Sequence, residues 1–246
     1  MLLLHGTYWS RVWQPAIEPL AQAGLRPVAV DLPGLGRSGG QLTLETATVP
    51  ALAKWVLRFK DALGGEEPAA VVGHDIGGAI AQHLTVHAGV RRLALVNSVT
   101  YDSWPVPGVA RFRDPDVVAS VTTEEIVQAR REAVMTALAM PIGEDVVSEY
   151  VEPWRDRRVA LSWMNLAGGA DPRFTLELME DLRRSSVPKL LIWGEDDEFQ
   201  PVTYAERFVR EVPRCRLIRI SHAGHIPMEN DPEGVARALA GFATDD

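Results

Sequence analysis

The stretch Val71, Val72, Gly73, His74, Asp75, Ile76, Gly77, Gly78 constrains the fold of this chain more than any other. An apolar run at 69–72 enters it and a helix-compatible run at 79–87 leaves it, so it reads as a strand-to-helix turn. Glycines two positions either side of Asp75 have a steric reason. A residue forced to positive φ at such a turn brings those neighbours against the strand and helix backbones, where a side chain has no room. Gly-x-Asp-x-Gly is the spacing of a nucleophile elbow, which lifts a reactive side chain onto a sharp turn, here with a carboxylate in place of the commoner serine. The helix that follows points its free N–H groups and positive dipole end at that carboxylate, favouring the ionised form.

Strands and helices alternate around this turn. Short apolar strands are expected at Leu2–Leu4, 27–30, 92–96, 189–193 and 216–220, with helices at 10–23, 47–63, 202–212 and 232–242. Crossovers of helical length between strands call for a parallel sheet. The alternation breaks from Thr100 to Ser186, where helical periodicity, as at 123–140 and 156–166, runs without a convincing strand. The expected organisation is therefore an α/β core of residues 1–99 and 187–246, interrupted by a helical insertion at 100–186.

Several classes of function are set aside by composition. The net charge of -8, with Arg and Lys spread thinly among acids, leaves no basic footprint for nucleic acid or an anionic membrane. A single cysteine, Cys215, forms no intrachain disulfide, and no Cys/His cluster is spaced for zinc. No apolar run reaches the roughly 18 to 20 residues of a membrane span. These features predict a cytoplasmic protein that takes a small-molecule substrate and needs no metal or cofactor.

Ligands of open parallel sheets bind at the carboxyl ends of the strands. That rule selects His5, Gly6 and Thr7, then Asp31, Asp75, Asn97, the acidic run Glu195, Asp196, Asp197, and the segment His222 to His225. A nucleophile, an acid and a histidine stand among them in the chain order of α/β-hydrolases.

Those motifs make the resemblance. His5-Gly6, the loop Asp31-x-Pro33-Gly34-x-Gly36-x-Ser38, the elbow at 73–78, Trp193-Gly194-Glu195-Asp196-Asp197 and Gly224-His225 together resemble the α/β-hydrolase superfamily over essentially the whole chain. Within it the chain is similar to the Asp-nucleophile branch of epoxide hydrolases and haloalkane dehalogenases. The resemblance implies a mostly parallel sheet with flanking helices and a helical cap. It also implies Asp75 as nucleophile, His225 as base and Asp197 as the acid orienting it, with Asp196 and Asp102 as rivals. Backbone N–H groups of Thr7 and Ile76 would form the oxyanion site.

A carboxylate attacking an ester carbonyl forms an anhydride with little advantage, whereas attack on saturated carbon gives a stable alkyl-enzyme ester that His225 can hydrolyse through water. The leaving group separates two activities. An epoxide oxygen needs a proton donor such as tyrosine; a halide needs weak N–H donors in a dry pocket. Ile76 and Thr7 depart from the Trp and Asn of haloalkane dehalogenases, and Tyr8 departs from the Pro that epoxide hydrolases generally carry two residues after the Gly of His-Gly. Tyr101 and Tyr150 are the candidate proton donors, and Trp104, Trp154 and Trp163 the candidate pocket lining, so epoxide opening is expected ahead of dehalogenation. A lyase or cyclase on the same fold and a non-catalytic binding protein are the alternatives. Members of the family usually carry two strands before the one bearing His-Gly. Met1 opens that strand directly here, so the first strands look missing or truncated. A six-stranded sheet with an exposed edge is expected, and with it marginal stability or pairing into a homodimer.

Overall fold

The computed structural model describes residues 1–64 and 67–244. Its centre is a six-stranded sheet in the order β2-β1-β3-β4-β5-β6, from Leu2–Leu4 (β1), Val28–Val30 (β2), Val71–Asp75 (β3), Leu93–Ser98 (β4), Lys189–Gly194 (β5) and Cys215–Ile220 (β6). Every neighbouring pair is parallel. All residues of β3, β4 and β5 are buried, as a sheet covered on both faces requires, while β2 and β6 at the edges are partly open.

The helices joining these strands are Gln14–Gln22 (α1), Val49–Ala62 (α2) and Ile76–His87 (α3) in the first part of the chain. A proline sits in the first turn of both α1 and α2, where its missing N–H costs nothing. For that reason the predicted helix 10–23 divides into a short 3-10 turn, Ser10–Trp13, and α1 proper. Because the chain steps from β1 out to β2 and back past β1 to β3, the ends of β1 and β3 lie side by side where the strand order reverses, the crevice in which open sheets bind ligands.

At that crevice β3 runs straight into α3. Asp75 takes φ 54°, and the helix begins at Ile76, three residues before the predicted run at 79–87. A Cβ on Gly73 would stand 2.3 Å from the Gly77 carbonyl oxygen, and one on Gly77 would stand 2.4 Å from that of Leu4. Close backbone approach, not conformational freedom alone, dictates these glycines.

Between β4 and β5 the chain is helical: Pro115–Ser120 (α4), Thr123–Ala137 (α5), Glu144–Val151 (α6), Arg157–Gly168 (α7), Arg173–Leu176 (α8) and Met179–Arg184 (α9). Helix α5 starts at a capping box in which the Thr122 hydroxyl accepts from the Glu125 N–H and the Glu125 carboxylate accepts from the Thr122 N–H. The chain closes with Val202–Glu211 (α10), Pro227–Asn230 (α11) and Pro232–Thr244 (α12), the last packed on α1. Among the described residues no helix is long and apolar enough to cross a membrane.

Candidate active site

Asp75 is buried at the head of α3. One oxygen, Oδ2, accepts from the Thr7 N–H at 2.8 Å and from the Thr7 hydroxyl at 2.7 Å. The chain after β1 comes this close because residue 6 has no side chain: a Cβ there would lie 2.5 Å from both Oδ2 of Asp75 and the Ile76 nitrogen. Of the two backbone nitrogens expected to form an oxyanion site, that of Thr7 thus donates to Oδ2, and that of Ile76 lies on the same side of residue 6.

His225, carried by the loop after β6, is 2% exposed and brings Nδ1 within 2.9 Å of Asp197 Oδ2. Asp197 is held from both ends. Its Oδ2 also accepts from Asn97 Nδ2 at 2.7 Å, and Oδ1 accepts from the N–H groups of Phe199 and Gln200 at 2.8 and 2.9 Å. Burial opposes the Asp197 charge, but His225 and these donors outweigh it and keep the carboxyl below the usual range. Asn97, in the left-handed region at φ 39°, also accepts from the Gly194 N–H at 2.9 Å and so ties the end of β4 to β5. The rivals for the acid are elsewhere: Asp196 and Asp102 are exposed, and Asp102 interacts with Tyr204.

Two further histidines are fixed as neutral structural groups. His5 accepts the Leu32 N–H at Nε2 (2.9 Å), so Nδ1 is left to donate to the Gly6 carbonyl at 2.9 Å. His74 holds the His225 carbonyl oxygen through Nε2 at 2.8 Å. Burial, then repulsion from His225, pushes the His74 imidazole down to about 4. Burial likewise lowers His5 and, with its neighbour His87, takes His83 to about 4. Burial opposes the charge on His225 as well, yet Asp197 and Asp75 raise it above the ordinary 6.5. The signs decide the acid behaviour. Groups lowered in the fold take up protons on unfolding, so their contribution is lost as pH falls from 6.5 toward 4, whereas that of His225 is complete below 6.5 and lost as pH rises through its folded value. His225 no longer changes its contribution below 6.5, so the three lowered groups decide, and the melting temperature is expected to fall steadily between pH 6.5 and 4.5 in scanning calorimetry; a flat or rising profile contradicts this.

Asp75 and His225 face a cavity of about 80 Å³ whose other walls include Thr7, Tyr8, Trp104, Arg130 and Trp163. Two of the expected aromatics, Trp104 and Trp163, therefore stand in its wall, with Trp104 Nε1 donating to the Thr175 hydroxyl at 2.7 Å. The other three are corrected. Tyr101 is wound to φ 50° and donates its hydroxyl to Glu211 at 3.1 Å, against α10. Tyr150 donates to Glu229 at 2.8 Å beneath the Arg11 guanidinium. Trp154 lies behind the wall, its ring against the Arg130 guanidinium at 4.8 Å.

Tyr8 and Arg130 were missed as site residues. Tyr8 follows Thr7 on a strand-end loop and was open to the same rule; its hydroxyl donates to the Ala133 carbonyl at 3.2 Å. Burial drives the phenol up to about 12, with Arg130 beside it acting in the opposite sense. Arg130 shares the buried face of α5 with Ile126, Val134 and Ala137, an apolar stripe in which a charge is the anomaly. The residue is 7% exposed, with Nε and Nη2 unpartnered among the described residues. An uncompensated buried ion costs several kcal/mol, of which each of the surrounding rings returns about 0.5 to 2 kcal/mol.

The sequence profile of the Alpha/beta hydrolase family matches residues 1–238. A pimeloyl-[acyl-carrier protein] methyl ester esterase of Nitrosomonas europaea is 27% identical over 244 residues, covering 95% of this chain and 91% of its own. The corresponding esterase of Vibrio cholerae is 24% identical over 251 residues, with 99% and 94% covered. Among solved structures, haloalkane dehalogenase DbeA from Bradyrhizobium elkani superimposes with a TM-score of 0.80 at 25% identity over 98% of this chain and 88% of that one. An alpha/beta hydrolase fold protein from Burkholderia ambifaria gives 0.82 at 24% identity, with 97% and 88% covered.

Proposed function

Since the chain belongs to the alpha/beta hydrolase family, we propose that it hydrolyses a bond at saturated carbon through an alkyl ester on Asp75. The observation that carries this reading is the carboxylate itself, anchored by Oδ2 on Thr7 and facing the cavity with His225. Oδ1 attacks carbon, the bond from carbon to the leaving group breaks, and its electron pair goes with that group. His225 then takes a proton from water, and the hydroxide adds to Cγ of the ester. The negative charge passes to Oδ2 between the Thr7 and Ile76 nitrogens, where preorganised donors stabilise it. Collapse expels the product oxygen, which recovers the proton from His225 while Asp197 holds the imidazolium in place; the proton left on the Asp75 carboxyl passes to solvent or, in epoxide opening, back to the donor that protonated the ring oxygen, restoring the carboxylate. Curated relatives are named as esterases, but a carboxylate gains little against an ester carbonyl, and displacement at carbon is the chemistry that this nucleophile favours.

Epoxide opening is the preferred form of the reaction. The expected donors Tyr101 and Tyr150 do not face the cavity; Tyr8 does, and with its phenol pushed up to about 12 it stays protonated and can neutralise an epoxide oxygen. A halide leaving group is the second reading. It is favoured by the Trp163 indole N–H, which has no partner among the described residues, and by the likeness to a haloalkane dehalogenase. Single turnover with enzyme in excess over propylene oxide, in heavy-oxygen water, is expected to give diol without solvent label. Full incorporation in that first product overturns the ester. Bromide release from 1-bromopropane with no consumption of propylene oxide selects the second reading.

A further inference from the structure

Arg130 has no place in the covalent steps above, yet it occupies the middle of the buried face of α5 and forms a wall of the cavity holding Asp75 and His225. Three rings surround its guanidinium. The carbon at its centre stands 4.6 Å from the ring centre of Tyr8, 4.8 Å from that of Trp154 and 4.9 Å from that of Trp163. Aromatic faces hold the cation and limit its rotation but accept none of its N–H bonds, and the polar partner beside it is the Tyr8 hydroxyl. Nε and Nη2 have no hydrogen-bond partner, and Arg130 enters no ion pair, among the described residues.

The identity of the two free nitrogens is informative. Nε and Nη2 share one edge of the guanidinium, and their N–H bonds run parallel, at the spacing of the two oxygens of a carboxylate. A spherical halide cannot use such a fork fully. Trp163 lines the same cavity, and its buried indole N–H is also without a partner among the described residues. A desolvated fork already oriented by packing loses little freedom on meeting an anion, so the cost of its burial is returned as affinity. It also offsets the repulsion that a negatively charged substrate meets from Asp75.

We propose that the Nε and Nη2 edge of Arg130 anchors a carboxylate carried by the substrate, so that the protein acts on small carboxylic acids bearing the group to be displaced. This rests on the reading that Asp75 attacks carbon, and it names the substrate class for that site. Size agrees: a water centre needs roughly 10 to 15 Å³, so a cavity of about 80 Å³ suits an acid of a few carbons. An oxirane carboxylate such as glycidate fits the epoxide reading, its ring oxygen taking the Tyr8 proton as Asp75 bonds to carbon.

Propionate and its neutral isostere propionamide separate charge from shape. In calorimetric titrations the wild-type protein is expected to bind propionate at least about tenfold more tightly than propionamide, and Arg130→Gln to lose that preference. Should Arg130→Gln fail to fold, the Nε–H resonance of Arg130 in nitrogen-15-labelled wild-type protein gives the same answer: it moves on saturation with propionate and stays with propionamide. Equal affinities, an unmoved resonance, or chloride binding as tightly as propionate overturns the carboxylate anchor. Turnover keeps the two readings apart. Glycidate is expected to exceed glycidol in kcat/KM by about 100-fold or more. Equal turnover of both removes the anchor and leaves the Asp75 ester standing. Selective propionate binding with neither glycidate nor 3-bromopropionate turned over keeps the anchor and removes the ester.

Discussion

His225→Gln is expected to consume one equivalent of epoxide per protein and then stall, with the mass of the intact chain raised by that of the substrate. Formation of the ester needs only the Asp75 carboxylate, which the Thr7 N–H and hydroxyl hold by Oδ2. Its hydrolysis needs a base for water, and glutamine cannot supply one. Loss of a general base costs about 10² to 10⁴-fold in the step that uses it, enough for the ester to accumulate to stoichiometry. The adduct should map to a peptide containing Asp75. An absent adduct in a folded variant that still turns over sinks the two-step scheme. The wild type carries a milder form of the same effect. Asp197 and Asp75 hold the His225 imidazolium above its ordinary value despite burial, so the base is increasingly protonated as pH falls. A burst of ester formation should therefore grow as pH falls through the raised folded value of His225.

Asp75→Asn is expected to reduce turnover by about 10⁴-fold or more while leaving the fold intact. An amide oxygen can still accept from the Thr7 N–H and hydroxyl, now at 2.8 and 2.7 Å, so stability should change by no more than about 1 kcal/mol. What disappears is the charge that attacks. Steady-state turnover together with a melting curve checks both halves. Near wild-type turnover from a folded Asp75→Asn variant rules out nucleophilic attack by this side chain.

The parts of the site that were legible in the sequence are those fixed by backbone geometry. A strand end determines where the next few residues lie, and that placed Asp75, Asn97, Asp197, His225 and Thr7 at one edge of the sheet before any side chain was seen. Gly77 and Gly78 are poor helix formers, yet both lie within α3, because tight packing against β1 and β4 leaves no room for anything larger. The helical insertion was legible as helix but not as a surface. Which of its aromatics face the cavity depends on how each helix is rotated and on single backbone turns such as the positive φ of Tyr101, which swings that ring against Phe208 on α10. Composition could not separate Trp154, behind Arg130, from Trp163, in front of it. Arg130 left a faint trace, a charge at a position whose neighbours at 126, 134 and 137 are all buried and apolar.

The pair of donors on Thr7 makes the two oxygens of Asp75 unequal for the working life of the molecule. On the proposed scheme Oδ1 is the oxygen that bonds carbon, so in each cycle it would depart within the product and be replaced by an oxygen from water, while Oδ2 stays clamped at 2.7 and 2.8 Å. After many cycles in heavy-oxygen water the Asp75 carboxylate should carry a single heavy atom. A second would mean that the side chain flips between cycles, so the isotope count becomes a clock for rotation about the Cβ–Cγ bond, with catalysis as its tick.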